Sequence, residues 1–287
     1  MPEHRESGET AETGDNASAE RQLFGQKRDE RTLFVGSELG VTRVDVAAAR
    51  VGQFSLVERC SVRSLAATSG LVVVGTDETV LASTGDGFES VGFGPAVAVG
   101  TDGSWLYAAG QDGRLSRLDR DALGTAAPAW EPLGHAAGPR RFDGDLLASG
   151  AGVYRVGVPP EPLGLADVND VAVGPFATTP SGVFSYQGGE WILEQEGAAT
   201  AIAADGESVH ALVDGGLLER TDGEWREREL PGECQPRFLA HCETLVVLCA
   251  DGTLSVAADP ETSRDGHGGW RSQALGVREP TALALAE

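Results

Sequence analysis

One short stretch of the chain gathers side chains that ligate soft metals: Cys234, His241, Cys242 and Cys249. Thiolate and imidazole together could hold zinc, which takes sulfur and nitrogen ligands in a tetrahedral shell. The spacing lacks a Cys-x-x-Cys knuckle, Cys249 sits inside the apolar run TLVVLC, and Cys242 closes another apolar segment. Reduced, buried thiols are the simpler reading of these residues and of the fourth cysteine, Cys60, so no metal is expected. His135, His210 and His267 are scattered and point to no general base.

Carboxylates recur in Gly-rich links at Asp112, Asp214 and Asp251, with Glu38, Asp77 and Glu78 at related positions. Calcium needs several oxygens within one shell. These links belong to separate segments, so they read as turn formers and surface charge. Arginines form a second pattern. Arg63, Arg140 and Arg237 each stand two residues ahead of an apolar position that opens a small-residue segment, with Arg141 beside Arg140; Pro95, Asn169, Thr200 and Thr281 hold the corresponding places elsewhere. Guanidinium groups recognise carboxylates and phosphates through paired hydrogen bonds. Arg63, Arg140, Arg141, Asn169 and Arg237 are therefore the candidate residues for a small anion or for the carboxylates of a protein partner. The competing reading pairs each arginine with a neighbouring acidic turn. No P-loop, dinucleotide fingerprint, HExxH or GxSxG is present, so neither a catalytic residue nor a cofactor is expected.

The elements that must position these residues follow from a repeat. A small or turn-forming cluster followed by an apolar residue recurs with Val41, Val80, Leu115, Val153, Val183, Leu217 and Leu254 at the shared position, a mean period of about 35 residues. A short apolar run precedes each copy, as in TLFVG, LVVVG and TLVVLC, so each unit opens as an antiparallel hairpin. An aromatic then starts a third segment: Phe54, Phe88, Trp130, Trp191, Trp225 and Trp270, with only the unit containing PPEPLGL lacking one. A segment of small apolar residues completes the set, as in VRSLAATS and ATAIAADG. Four short strands per unit, seven times, predict an all-β, seven-bladed β-propeller over 32–287. The small residues belong near the axis and the aromatics where the wedges widen. PTALALAE ends the chain with no hairpin after it, and the first hairpin has no such segment before it. The C-terminal strand is thus expected to complete the first blade and close the ring. The surface loops predicted for 119–129 and 258–269 are the long inserts.

The chain of 287 residues carries 44 acids against 22 bases, a net charge of −22, and Lys27 is its only lysine. Such a surface cannot drive nucleic-acid binding by bulk electrostatics. It suits a halophile's cytoplasmic protein, in which salt screens the self-repulsion. Residues 1–20 lack the apolar core of a signal peptide, and the longest uncharged stretch, 171–189, is broken by glycine and proline, so no membrane association is expected. Residues 1–31 are charged and hold few large apolar groups beyond Leu23 and Phe24. They read as a mostly disordered acidic tail, with those two residues docking on the first blade.

The runs TLFVGSELGVTRVDV from Thr32 and QFSLVERCSVRSLAAT from Gln53 resemble an uncharacterised β-propeller family of halophilic archaea. The resemblance implies the fold and the saline setting, and brings no catalytic or binding residues. The turn-plus-aromatic element is also similar to the Asp-box of sialidase-like propellers, but the spacing Ser-x-Asp-x-Gly-x-x-Trp is met in no copy, so glycosidase activity does not follow. The sequence thus points to a non-catalytic, monomeric interaction platform using the channel mouth around Arg63, Arg140 and Arg237. The alternative is a channel-site enzyme or small-anion binder using the same arginines, and a third possibility is that the tail does the binding.

Overall fold

The computed structural model describes residues 30–47, 50–84, 87–125, 128–206, 208–230, 232–242, 244–257 and 269–286. The expected tail lies outside the described residues except for its last two positions, which already belong to the first strand, Glu30–Ser37. Most of the expected insert at 258–269 also falls outside them.

Among the described residues, the strands form seven four-stranded antiparallel sheets arranged as the blades of a propeller. Within each blade the strands run in chain order from the axis outward. Blade one is the exception, because its innermost strand is the C-terminal Ala282–Ala286, paired antiparallel with Glu30–Ser37 from Thr32 opposite Ala286 to Gly36 opposite Ala282. The ring is therefore closed by the chain's own end, as the complementary head and tail of the sequence imply. Blades five and six, whose hairpins are the least regular in sequence, are complete sheets. Blade four builds its outer strand, Glu161–Gly164, without an aromatic.

Position within the blade dictates residue type. The second strand of blade two, Leu71–Thr76, is buried at every residue because neighbouring blades cover both of its faces, so its sequence LVVVGT is a continuous apolar run and does not alternate. Outer strands such as Gly87–Ser90 are largely exposed. The core is a series of layers between adjacent blades. Leu33, Val35 and Val44 of blade one meet Val246, Leu248 and Leu254 of blade seven, and Leu71, Val73 and Val80 of blade two meet Val99 and Leu106 of blade three. Each such side chain stabilises the layer by roughly 1.5–3 kcal/mol.

Hydrogen bonds fasten the layers at both rims. At the inner rim, side chains reach forward to the next blade: Thr281 Oγ1 donates to the Val62 carbonyl at 2.8 Å, Asn169 Nδ2 to the Ala199 carbonyl at 2.8 Å, and Arg140 Nη1 to the Val168 carbonyl at 2.9 Å. One residue further along the inner strand, Ser64 Oγ accepts from the Val99 amide at 3.1 Å and Asp170 Oδ2 from the Ile202 amide at 3.1 Å. At the outer rim the indoles reach backward. Trp130 donates to the Val91 carbonyl at 2.8 Å, Trp191 to Leu163 at 2.9 Å and Trp270 to Glu229 at 2.8 Å. Three of the four repeated tryptophans thus fill the wide end of the wedge and also bond it to the preceding blade, while the buried indole N–H of Trp225 has no hydrogen-bond partner among the described residues.

Candidate functional site

The inner strands of blades two, four, six and seven share an irregularity where they leave the mouth of the channel. Register with the second strand shifts between Val62 and Ser64, Pro139 and Arg141, Ala199 and Ala201, and Pro236 and Phe238. The skipped residues are Arg63, Arg140, Thr200 and Arg237. A bulge takes one residue out of the ladder and re-aims its side chain, and all four are exposed. The arginine pattern in the sequence is thus a bulge pattern. In blade three the inner strand is Ala98–Thr101, with Val99 in the register of Leu65 and Ile202. The corresponding bulge position there is Val97, and Pro95 lies two residues ahead of it in the connection. That correction reflects an apolar alternation in PAVAVG that fits two registers equally well.

The structure brings some of the candidate residues together and separates others. Arg63 forms a two-pronged pair with Asp77 of its own blade's turn, Nε to Oδ1 at 2.6 Å and Nη2 to Oδ2 at 2.9 Å. The Asp77 hydrogen bond raises the guanidinium's already high pKa, and the reciprocal bond from Arg63 holds the Asp77 carboxyl below its usual range. Arg140 donates to Asn169 Oδ1 at 3.0 Å and sits 3.9 Å from Asp167, so these two candidates form one contact across blades four and five. Arg141 turns the other way, into the channel, where its Nε lies 3.0 Å from Oδ1 of the buried Asp170. Arg237 has no carboxylate partner among the described residues; its guanidinium lies 5.6 Å from the ring of its neighbour Phe238. The candidates therefore occupy separate blades: Arg63 on blade two, Arg140 and Asn169 across blades four and five, and Arg237 on blade seven.

The channel holds a cavity of about 300 Å³ lined by every blade's inner strand. Small residues such as Ala66, Gly100, Ala172, Ala203, Ala240 and Ala284 form most of its wall. Its charged lining is Asp102, Arg141 and Asp143, and His241 adds an imidazole. Burial raises Asp102, but hydrogen bonds from Tyr107 and from the Trp105 and Ser104 amides outweigh it and leave the carboxyl below its usual range. Burial pushes Asp170 up to about 6 against the opposing pull of Arg141 and the Ile202 amide. His241 stacks on His210 of blade six with ring centroids 4.9 Å apart. Burial, reinforced by the neighbouring His241 and Arg228, pushes His210 down to about 3, and burial lowers His241 despite Asp205. Both rings are therefore neutral at physiological pH and pack the joint between blades six and seven.

The cysteine expectation is corrected. Cys234, in the connection to blade seven, and Cys249, in that blade's second strand, form a disulfide with Cα atoms 5.8 Å apart. The inner strand returns the connection alongside Cys249, since Pro236 faces Cys249 in the ladder. A run of apolar residues signals burial but says nothing of a second thiol folded against it. Cys60 is free, its thiol pushed up to about 11 by burial and by Glu58, and no cluster of three metal-ligating side chains occurs among the described residues.

Sequence reasoning missed Asp170 and Ser64, the inner-strand residues that accept amides from the next blade. Their signal is a polar residue immediately before the inner apolar position.

A ring of seven sheets closed by its own C-terminal strand, with a narrow lined channel, defines a β-propeller. The chain belongs to the HVO_0234-like beta-propeller family, whose description matches residues 17–286. No curated protein matches the sequence. Among solved structures, the computationally designed Ika8 protein is similar at 16% identity, covering 89% of this chain and 90% of its own, with a TM-score of 0.59. AztD from Citrobacter koseri is similar at 10% identity, covering 88% and 84%, with a TM-score of 0.55. The Cps50 (Swd1) beta-propeller domain of Myceliophteria thermophila is similar at 12% identity, covering 87% and 95%, with a TM-score of 0.54. At these identities the likeness is one of fold.

Proposed function

We propose that this propeller is a non-catalytic platform that binds a protein partner at the channel mouth, with Arg237 of blade seven as its open cation and Arg63 of blade two and Arg140 of blade four elsewhere on the same rim. The observation that supports this most directly is Arg237, a bulge-projected, exposed guanidinium without a carboxylate partner among the described residues, in a chain of net charge −22. Among the described residues ten arginines already have a carboxylate within 4.0 Å, as Arg63 has Asp77. A partner presenting carboxylates to this face gains from Arg237 without displacing an internal pair.

The alternative, a small anion held in the channel, draws less support from the geometry. Arg141 is the guanidinium that lines the cavity, and it is bonded to Asp170 with Asp102 and Asp143 also on the wall.

The test is purification of the tagged protein at high salt from a halophilic host, beside Arg237→Glu and the Arg63→Glu/Arg237→Glu double variant. A stoichiometric partner lost in both variants, with thermal unfolding preserved, supports the reading. Retention of the partner in Arg237→Glu removes this face. A thermal-stability screen across inorganic phosphate, sulfate and small carboxylates addresses the alternative, which requires a concentration-dependent rise. The cytoplasmic setting belongs to the same proposal. Among the described residues no helix is long and apolar enough to cross a membrane. The disulfide weighs toward an oxidising environment, so alkylation of thiols in intact cells, followed by mass measurement of Cys234 and Cys249, decides whether the pair is closed where the protein works.

A further inference from the structure

A closed propeller leaves seven outer strands whose far edges carry unpaired backbone groups, and natural sheets protect such edges with charge, proline or brevity. Six of the seven follow that rule. Gly87–Ser90 is short, Glu131–His135 and Glu161–Gly164 contain proline, Glu190–Glu196 carries three glutamates and Glu224–Arg228 alternates acids with arginines, and Trp270–Ala274 carries Arg271 and closes its wedge with a buried Trp270.

The outer strand of blade one differs. Arg50–Glu58 is nine residues long with the sequence RVGQFSLVE, so 51–57 contains neither charge nor proline in a chain with 44 acids. Phe54, Leu56 and Val57 are 40%, 42% and 37% exposed. Phe54 stands at the repeat's aromatic position, three residues beyond the shared apolar residue in register: it faces Val44 as Trp191 faces Tyr186 and Trp225 faces Arg220. Those tryptophans are partly covered, whereas Phe54 is open. The ladder to the third strand is regular from Phe54 through Leu56 and shifts register on either side, with an extra residue of this strand at Val57 and another across Gly52 and Gln53, so the regular template for another strand is 54–56.

The sequence of this edge is complementary to itself. Antiparallel pairing about a two-fold axis at Phe54 sets Phe54 against Phe54, Val51 against Val57, and Arg50 against Glu58 of the second copy. Both charges of the strand are thereby paired with their opposites, and Phe54, Val51 and Val57 meet apolar residues across the seam while Leu56 faces Gly52. We propose that this edge is a homodimer interface, in which two propellers join their first blades into one continuous sheet with isologous symmetry. The expectation of a monomer rested on the closed ring needing no partner subunit, and closure of the ring leaves this edge untouched. The long-range repulsion between two strongly acidic copies makes the association stronger at high salt.

Sedimentation velocity at molar salt, over a dilution series, tests the pairing. The wild-type chain is expected to be a dimer and Phe54→Asp, which places two carboxylates at the axis, a monomer with unchanged thermal unfolding. Arg50→Glu and Glu58→Arg each set like charges opposite one another twice per dimer and are expected to weaken association by about tenfold or more, while the double exchange Arg50→Glu/Glu58→Arg restores it. A monomeric wild type overturns the proposal, as does a dimer indifferent to Phe54→Asp. If Phe54→Asp fails to fold, the charge exchange decides: single and double variants that dimerise equally well also overturn it.

Discussion

Asp170 joins three blades. Its carboxylate meets Arg141 of blade four, the amide of Val171 in its own strand, and the amide of Ile202 in blade six. Its side chain is 4% exposed against 30% for Arg141. Burial dominates, and the carboxyl rises from 3.8 to about 6. Because the folded pKa lies above the unfolded one, the folded state binds more protons between these values, so this group's contribution to stability is full below about pH 4 and is lost as pH rises through about 6. An elevation of this size corresponds to about 3 kcal/mol. Asp170→Asn keeps the shape and an oxygen for the Ile202 amide but has no proton to release. The unfolding free energy of the wild type minus that of Asp170→Asn should therefore fall by about 2.5 kcal/mol from pH 4 to pH 7. Urea titrations at fixed high salt and several pH values measure it, and the subtraction removes the titration of the other carboxylates. Parallel profiles, or a difference growing with pH, would refute the argument by showing that Arg141 and the two amides outweigh burial. Asp170→Ala is a separate case: it strands the Ile202 amide and leaves Arg141 unpaired, and should cost about 2–4 kcal/mol at pH 7.

Three further outcomes are expected. Cys234→Ser opens a link between residues 15 apart in sequence and should lower stability by about 3 kcal/mol in denaturant melts, with no added effect of reductant. Tyr107→Phe removes the 2.6 Å hydrogen bond to Asp102; it should cost about 1–2 kcal/mol by thermal unfolding and raise the Asp102 pKa, readable by NMR titration. Gly252→Ala places a Cβ at a backbone φ of +82° directly against the Val277 carbonyl, so destabilisation above about 2 kcal/mol is expected from differential scanning calorimetry.

Much of the architecture was legible because a propeller repeats its constraints. Second strands such as Leu71–Thr76 need a largely apolar run, six of the seven units carry an aromatic at the start of the outer segment, and inner strands need small residues, so the period and the blade count could be read from residue types alone. The candidate site was legible in part. The arginine spacing marked real bulges at Arg63, Arg140 and Arg237, but their partners were not visible. Asp77 lies in the same blade as Arg63, whereas Asn169 and Val168 reach Arg140 from the next blade. Arg141 and Arg140 are adjacent in sequence, yet one faces the channel and the other the mouth, because the bulge sets their parity.

The sequence by itself determined the fold class, the number of blades, the closure by the C-terminal strand and the strongly acidic character, since these follow from composition and local periodicity. The tertiary structure decided which cations are already neutralised, which thiols meet and which edge is left open. Those outcomes depend on register between strands and on contacts between blades, and a one-residue shift in either changes which side chain faces which. Cys234 and Cys249 show this plainly: the connection between blades six and seven must fold back beside an apolar strand before its lone thiol finds another.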